Sequence, residues 1–171
     1  MARSRRRETL VALANVPLLR RATRLRVLRR AGVTFEGDAD VATGFFVSHD
    51  GPLTIGDGTW INHHVYVDTA AEVRIGAGVG IADHVRILTA THDVGPRASR
   101  GGPWVTAPVT IGDGCWVGSG VTILPGVTVA PGCVLGAGAV VTADTEPDGL
   151  YVGVPARRVR DLDGDAAPVT A

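Results

Sequence analysis

The chain has 171 residues and a mass of 17.7 kDa, which is enough for one domain with a buried core but not for two full-sized domains. Its formal net charge of zero is the sum of +9 over residues 1–34 and −9 over residues 35–171, and every basic residue is arginine. The absence of lysine excludes a lysine nucleophile, a lysine Schiff base and a lysine-dependent phosphate loop.

Residues 1–34 form a basic segment, in contrast to the acidic residues 35–171. Leucine and valine recur among the arginines of residues 8–30, which predicts helix, and Pro17 predicts a break in it. We expect this segment to cap the first turn of a repeat domain. The alternative is weak contact with an anionic membrane surface. Nucleic-acid binding is disfavoured because residues 35–171 are acidic. No apolar run reaches the roughly 18 residues of a membrane span and no signal-peptide cleavage pattern is present, so we expect a cytoplasmic protein.

Residues 35–160 carry a six-residue repeat, seen in units such as Ile55-Gly-Asp-Gly-Thr-Trp60. Three units make one turn, and their leading residues fall into three columns: Phe35, Ile55, Ile75, Ile111 and Val129; Val41, Ile61, Ile81, Val117 and Leu135; Val47, Val67, Ile87, Ile123 and Val141. A six-residue strand cannot bury its aliphatic side chain alone, whereas stacked turns can, so the pattern predicts a parallel β-helix. A β-sandwich would instead show alternation with period two.

The repeat is interrupted once, between Ile87 and Ile111. These residues are 24 positions apart, where the other two connections of this kind span 8, so a loop leaves the coil within residues 92–108. Long excursions from a regular scaffold often carry function. After residue 160, the small and acidic segment 161–171 is expected to be a flexible tail.

Histidines and cysteines fall at related phases of the repeat. Cys115 and Cys133 are fifth in consecutive units, which predicts reduced thiols stacked in the core. His64 and His84 also share a phase and should stack about 5 Å apart. Three interpretations of this pair are open: it forms half of a metal site, it binds an acceptor substrate, or it consists of solvated turn residues. His92 stands at the root of the excursion, so it is the candidate general base, the alternative being a polar loop residue.

The motifs around the excursion resemble the hexapeptide-repeat acyltransferases, and most closely the maltose and galactoside O-acetyltransferases. The shared stretches are Thr91-His92-Asp93, Ala107-Pro-Val-Thr-Ile-Gly-Asp-Gly-Cys-Trp-Val-Gly118, Ile123-Leu-Pro-Gly-Val127 and Gly153-Val-Pro-Ala-Arg157. The resemblance implies a left-handed parallel β-helix and a homotrimer with active sites between subunits. It also implies transfer of an acetyl group from acetyl-CoA to a hydroxyl of a sugar or glycoside, without a metal.

The same resemblance implies roles for single residues. His92 corresponds to the catalytic base, and Asn62 and Asp68 correspond to acceptor-binding residues. The family usually has two asparagines separated by one residue, where this chain has Asn62 and His64. This departure bears on the acceptor more than on the reaction.

Contacts with acetyl-CoA are implied for a further set of positions: Ser119, Ala137, Thr142, Arg157 and Arg160. Guanidinium groups suit the phosphates of CoA. A lysine that often follows the threonine is Ala143 here, and Arg158 is a candidate replacement. Trp116 is expected to line the CoA groove or to pack at a subunit corner. Trp104 lies in the excursion and is expected to contact the acceptor or to form part of a lid.

Other functions stay open at this point. The acceptor of the acetyl group could be an amino sugar or an antibiotic. The γ-class carbonic anhydrases share the fold and bind zinc through three histidines, but they place two of them five residues apart, a spacing this chain lacks. A β-helix used only for assembly is the non-enzymatic alternative.

Overall fold

The computed structural model describes residues 2–162, with side chains from residue 5 onward. The described residues form two helices, α1 (Ala2–Ala14) and α2 (Arg21–Arg30), followed by nineteen short strands. In chain order the strands are β1 (Val33–Phe35), β2 (Ala39–Val41), β3 (Phe46–Ser48), β4 (Leu53–Ile55), β5 (Thr59–Ile61), β6 (Tyr66–Asp68), β7 (Val73–Ile75), β8 (Gly80–Ile81), β9 (Arg86–Ile87), β10 (Ala90–Val94), β11 (Gly101–Thr106), β12 (Val109–Ile111), β13 (Trp116–Val117), β14 (Thr122–Ile123), β15 (Thr128–Val129), β16 (Val134–Leu135), β17 (Val140–Val141), β18 (Gly149–Val152) and β19 (Arg157–Asp161).

The strands build the three faces of a coil. The first sheet has the order β1-β4-β7-β12-β15, the second β2-β5-β8-β13-β16-β18-β19 and the third β3-β6-β9-β14-β17. Neighbours in these sheets run parallel, except that β19 runs antiparallel to β18 at the end of the second sheet. The chain is therefore a parallel β-helix, as the repeat predicts.

The columns of aliphatic residues set the register of all three sheets. In the first sheet, Phe35 pairs with Ile55, Ile55 with Ile75, Ile75 with Ile111, and Ile111 with Val129. The second and third columns pair in the predicted order as well, and every column residue except the half-buried Phe35 is buried. Tyr151, which the repeat does not predict, continues the second column opposite Leu135.

In regular six-residue units such as those that begin at Ile111 and Val129, the fifth position also points inward. Cys115 and Cys133 lie there, and both are buried free thiols, which confirms the prediction of reduced core cysteines. The Cys115 thiol donates a hydrogen bond of 3.1 Å to the main-chain oxygen of Ala130, and burial raises the pKa of Cys115 to about 11.

Two edges of the coil carry the candidate site residues. The 2/3 edge joins the second sheet to the third through residues 42–45, 62–65, 82–85, 118–121 and 136–139. The 3/1 edge joins the third sheet to the first through residues 49–52, 69–72, 88–108 and 124–127. The chain also leaves β17 of the third sheet at this edge, through residues 142–148, and these residues lead on to β18 of the second sheet. The excursion on the 3/1 edge is a hairpin of β10 and β11, which pair antiparallel.

Each turn on the 2/3 edge uses one residue in the left-handed region. Glycine takes this position at Gly44, Gly120 and Gly138, and histidine takes it at His64 and His84, both with a φ of 59°. Histidine is among the few residues other than glycine that tolerate this conformation. The turn geometry therefore explains why the two histidines recur with a 20-residue spacing.

The helices cover the first turn of the coil. Helix α2 packs on β1 and β2, and α1 packs on β3, so the segment lies where the capping interpretation places it. Buried Arg24 links the two layers, because its guanidinium donates hydrogen bonds to the main-chain oxygens of Ala14 and Val41. In the part of the chain that the structure describes, neither helix is long and apolar enough to cross a membrane.

The C-terminal boundary differs slightly from expectation. Asp161, predicted to start the flexible tail, is the last residue of β19. Residues 163–171 of that tail lie outside the described residues.

Candidate active site

His92 lies exposed on β10, at the root of the hairpin. Its Nδ1 lies 2.8 Å from the main-chain oxygen of Gly102 on β11. Because a carbonyl oxygen only accepts hydrogen bonds, Nδ1 carries a proton, and in the neutral imidazole Nε2 keeps a lone pair. Within the described residues Nε2 has no hydrogen-bond partner, which is the state that a general base requires.

A tryptophan occupies the strand position opposite His92. Trp104 pairs directly with His92 across the hairpin, and 55% of its surface is exposed. The Trp104 ring lies 6.1 Å from the ring of His49, measured between centroids. Trp104 thus neighbours His49 through its ring and His92 through its strand pairing, both on the 3/1 edge.

His49 is held by a buried carboxylate. Its Nδ1 lies 2.9 Å from Oδ1 of Asp68, which is 5% exposed. Burial acts to raise the pKa of Asp68, but hydrogen bonds from the N–H groups of Ala70 and Thr89 and from His49 outweigh it, so the pKa lies below its usual range. Asp68 is therefore a charged acceptor beneath the surface.

This arrangement adds to the role predicted for Asp68. The resemblance implies direct contact with the acceptor, yet both carboxylate oxygens of Asp68 already accept hydrogen bonds from the protein. In this geometry Asp68 also supports His49, and its contact with the acceptor stays a prediction. His49 is one of the five histidines that are candidates for acid-base chemistry by residue type, but the sequence assigns it no particular role. A signal for that role exists, because His49 follows Ser48, which lies 20 residues, or one turn, before Asp68 and pairs with it.

Asn62 lies on the 2/3 edge, across the third sheet from His92. Its Oδ1 accepts a hydrogen bond of 2.9 Å from the N–H of His63. Asparagine residues in turns commonly form such local hydrogen bonds between the side chain and the neighbouring backbone. Within one chain, the structure does not bring Asn62 and His92 together, because the strands of the third sheet separate them.

The predicted stack of His64 and His84 is confirmed. Their ring centroids are 5.1 Å apart with planes 13° from parallel, and His63 lies 6.2 Å from His64. Stacked rings direct their nitrogen lone pairs side by side rather than toward a common point. Among residues 2–162, no group of three or more His, Cys, Asp or Glu side chains is arranged to hold a metal ion.

The residues proposed to contact acetyl-CoA are divided between the edges. Ser119 and Ala137 lie exposed on the 2/3 edge on adjacent turns, where the N–H of Gly138 donates to the main-chain oxygen of Ser119. Thr142 directly follows β17, so it lies exposed on the 3/1 edge, the same edge as His92. Both edges therefore carry part of the set.

Exposed arginines and tryptophans provide groups that suit CoA. Arg157 and Arg160 lie exposed on β19, and guanidinium groups bind phosphate oxygens. Trp116 is 56% exposed and shares a row of the second sheet with Trp60 and Gly80, so its ring stands next to a strand position without a side chain. These residues fit a long ligand that combines phosphates with an apolar arm.

Arg158 does not fit its predicted role. Its guanidinium donates hydrogen bonds to the main-chain oxygens of Glu146, Pro147 and Asp148, and it forms an ion pair with Asp161. These contacts hold β19 against the loop before β18. Arg158 is thus a structural residue and does not replace the lysine absent at position 143.

Comparisons with known proteins agree with this geometry. The model of the family described as bacterial transferase hexapeptide (six repeats) matches residues 108–143. Galactoside O-acetyltransferase of Escherichia coli (strain K12) is 31% identical over 136 residues, which cover 80% of this chain and 67% of that protein. Among solved structures, the hexapeptide-repeat-containing acetyltransferase of Vibrio cholerae O1 biovar eltor, complexed with acetyl coenzyme A, superposes with a TM-score of 0.86 at 31% identity, covering 95% of this chain and 88% of the other.

The chain belongs to the hexapeptide-repeat acetyltransferase family. A further relative, nodulation protein L of Rhizobium meliloti (strain 1021), is 40% identical over 105 residues, which cover 61% of this chain. The match spans 57% of nodulation protein L, little more than half of its length. The predicted family is thereby confirmed.

Proposed function

We propose that this hexapeptide-repeat protein transfers an acetyl group from acetyl-CoA to a hydroxyl of a sugar or glycoside, with His92 as the general base. The observation that carries the proposal is the imidazole of His92, oriented by Gly102 with Nε2 exposed and without a partner among the described residues. The name of the galactoside O-acetyltransferase relative supports the sugar acceptor. The acetyl coenzyme A complex of the Vibrio cholerae relative supports the donor.

His92 moves the proton in this reaction. Acetyl-CoA supplies the thioester carbonyl that the acceptor oxygen attacks. Nε2 of His92 removes the proton from the hydroxyl as the new C–O bond forms, and the imidazolium returns that proton to the departing CoA sulfur. The products are an acetyl ester and free CoA, so atoms and charge balance. General-base assistance of this kind contributes about 10²–10⁴-fold to the rate.

We further propose that the enzyme is a homotrimer whose active sites lie between copies. Asn62, Ser119 and Ala137 lie on the 2/3 edge, whereas His92 and Thr142 lie on the 3/1 edge. A single chain keeps these edges apart, and a neighbouring copy brings one against the other in a heterologous, ring-closing interface. This arrangement accounts for Asn62 being distant from His92 within one chain.

The direct test is the variant His92→Ala. We expect kcat for acetylation of a glycoside to fall about 10²–10⁴-fold while the fold and assembly are unchanged. Arg97→Ala, at the exposed tip of the same hairpin, is the matched control and should keep wild-type kcat. Wild-type turnover by His92→Ala would contradict the assignment.

The proposal that active sites lie between copies has its own test. Asn62→Ala and His92→Ala are each expected to be weakly active, but subunits mixed and reassembled should regain activity, since one interface then contains both native residues. No recovery in mixed trimers, or a monomer in sedimentation, would argue against a site between copies.

A further inference from the structure

The 3/1 edge contains a second imidazole that the reaction as described does not use. His49 follows β3 with a φ of 61°, a left-handed turn that directs its side chain toward Asp68 on the next turn of the coil. Its side chain is 52% exposed, whereas that of Asp68 is 7% exposed. A half-exposed imidazole on a buried carboxylate has one nitrogen fixed and one available.

We propose that His49 is an acceptor-binding residue aligned by Asp68, and that the acceptor presents a second hydroxyl beside the one that is acetylated. The inference rests on the proposed function and deepens it, because it specifies a polyhydroxylated acceptor. Asp68 supports His49 without touching the acceptor, so it is a positioning residue.

The hydrogen bonds assign the tautomer of His49. The pKa of Asp68 is lowered, so the carboxylate is charged and only accepts hydrogen bonds. Nδ1 of His49 therefore carries the proton that it donates to Asp68, and in the neutral imidazole Nε2 keeps its lone pair. No described residue donates to Nε2, so it can accept a hydrogen bond from a ligand hydroxyl.

The neighbours of His49 suit a sugar ring. Trp104 neighbours both histidines: its exposed ring lies 6.1 Å from the ring of His49, and its backbone pairs with that of His92. Residues directly opposite each other in an antiparallel pair place their side chains on the same face. Residues that pair across antiparallel strands have Cα atoms about 4.5–5.5 Å apart. A ring lying on the indole face would thus reach one imidazole with the reacting hydroxyl and the other with a neighbouring hydroxyl.

The backbone of His49 is fixed as well. Arg7 of α1 donates hydrogen bonds to the main-chain oxygens of His49 and Gly51, on both sides of Asp50. Ser48 contacts Asp68 and the hydroxyl of Tyr66, which completes the polar support. A residue held at both its backbone and its ring is pre-organised for binding.

The test compares His49→Asn, Asp68→Asn and the double variant. Asparagine tolerates the left-handed φ, so the turn is retained. The probe is methyl β-D-galactopyranoside, together with its monodeoxy derivatives, at saturating acetyl-CoA. We expect His49→Asn to raise the acceptor KM about tenfold, which corresponds to one lost hydrogen bond, with the KM for acetyl-CoA unchanged.

Two further outcomes separate a binding role from a structural one. Asp68→Asn should also raise the acceptor KM in the wild-type background, but it should add nothing in the His49→Asn background, because it acts through His49. For the deoxy acceptor that lacks the second hydroxyl, His49→Asn should have no effect on KM. If Asp68→Asn does not fold, the His49→Asn and deoxy-acceptor comparison decides alone.

Results that contradict the role of His49 can be told apart from results that contradict the proposed function. The proposal is overturned if His49→Asn leaves the acceptor KM unchanged, or if it lowers kcat equally for every acceptor, while His92→Ala still abolishes transfer. A wild-type protein that acetylates none of the glycosides, or a fully active His92→Ala variant, overturns the proposed function itself, and the His49 assignment with it.

Discussion

The guanidinium of Arg7 lies 2.8 Å from the main-chain oxygen of His49 and donates a hydrogen bond to it. The same nitrogen also donates to Gly51 O and to Oγ1 of Thr69. Burial lowers the pKa of Arg7, although the charge of Asp50 acts in the opposite direction. Helix α1 is thus fastened to two successive turns of the 3/1 edge by one buried cation.

Replacement of this residue should loosen the N-terminal cap. Arg7→Ala leaves the oxygens of His49 and Gly51 without their donor, so we expect the free energy of unfolding to fall by about 2 kcal/mol. Urea denaturation measures the change. Arg6→Ala removes a neighbouring but exposed arginine and should alter stability by less than about 0.5 kcal/mol. Equal losses in the two variants would show that the contacts of Arg7 are not what holds α1.

The left-handed turn at His64 makes a second prediction. A β-branched residue at a φ of 59° is strained by about 1–2 kcal/mol, so His64→Val should lower the unfolding free energy by that amount. His64→Gly relieves the strain and should stay within about 0.5 kcal/mol of the wild type. Thermal unfolding of the pair checks this, and a valine variant as stable as the glycine variant would mean that the turn adapts.

The buried thiol of Cys115 predicts a loss of stability at alkaline pH. Its pKa is raised from 9.0 to about 11 in the folded protein, so the folded state holds the proton more tightly than the unfolded state. The associated stability is complete below pH 9 and is lost as the pH rises toward 11, by at most about 1.4 kcal/mol per pH unit.

Matched cysteine variants isolate this effect. Denaturation curves between pH 8 and 11 should show that Cys115→Ala removes part of the alkaline slope. Cys133→Ala retains the Cys115 thiol and should keep the slope. An identical slope in both variants would assign the alkaline effect to other groups.

The coil could be predicted from the sequence because its register is set by single residues at a fixed spacing. Ile55, Ile75 and Ile111 each mark the same position of a turn, so their pairing follows once the excursion is subtracted. Tyr151 was missed because the units before it lose the period: residues 142–148 form a loop rather than a further unit.

The site was less predictable because it depends on side-chain directions at the edges. His92 could be recognised from its place at the excursion and from a family motif. The bond between His49 and Asp68 requires the left-handed φ of His49, which no periodicity specifies. Likewise, the sequence places Asn62 only one turn before the excursion, although the two positions lie on opposite sides of the third sheet.

The chain reverses direction at β19, which forms the outer strand of the second sheet. A parallel coil ends in strands that could pair with another strand of the same direction, and so with another coil. In the second sheet that position is taken by β19, which runs opposite to every strand before it and is locked by Arg158. The antiparallel β19 therefore covers the last parallel strand of the second sheet, so that β18 is not free to template a strand from another coil.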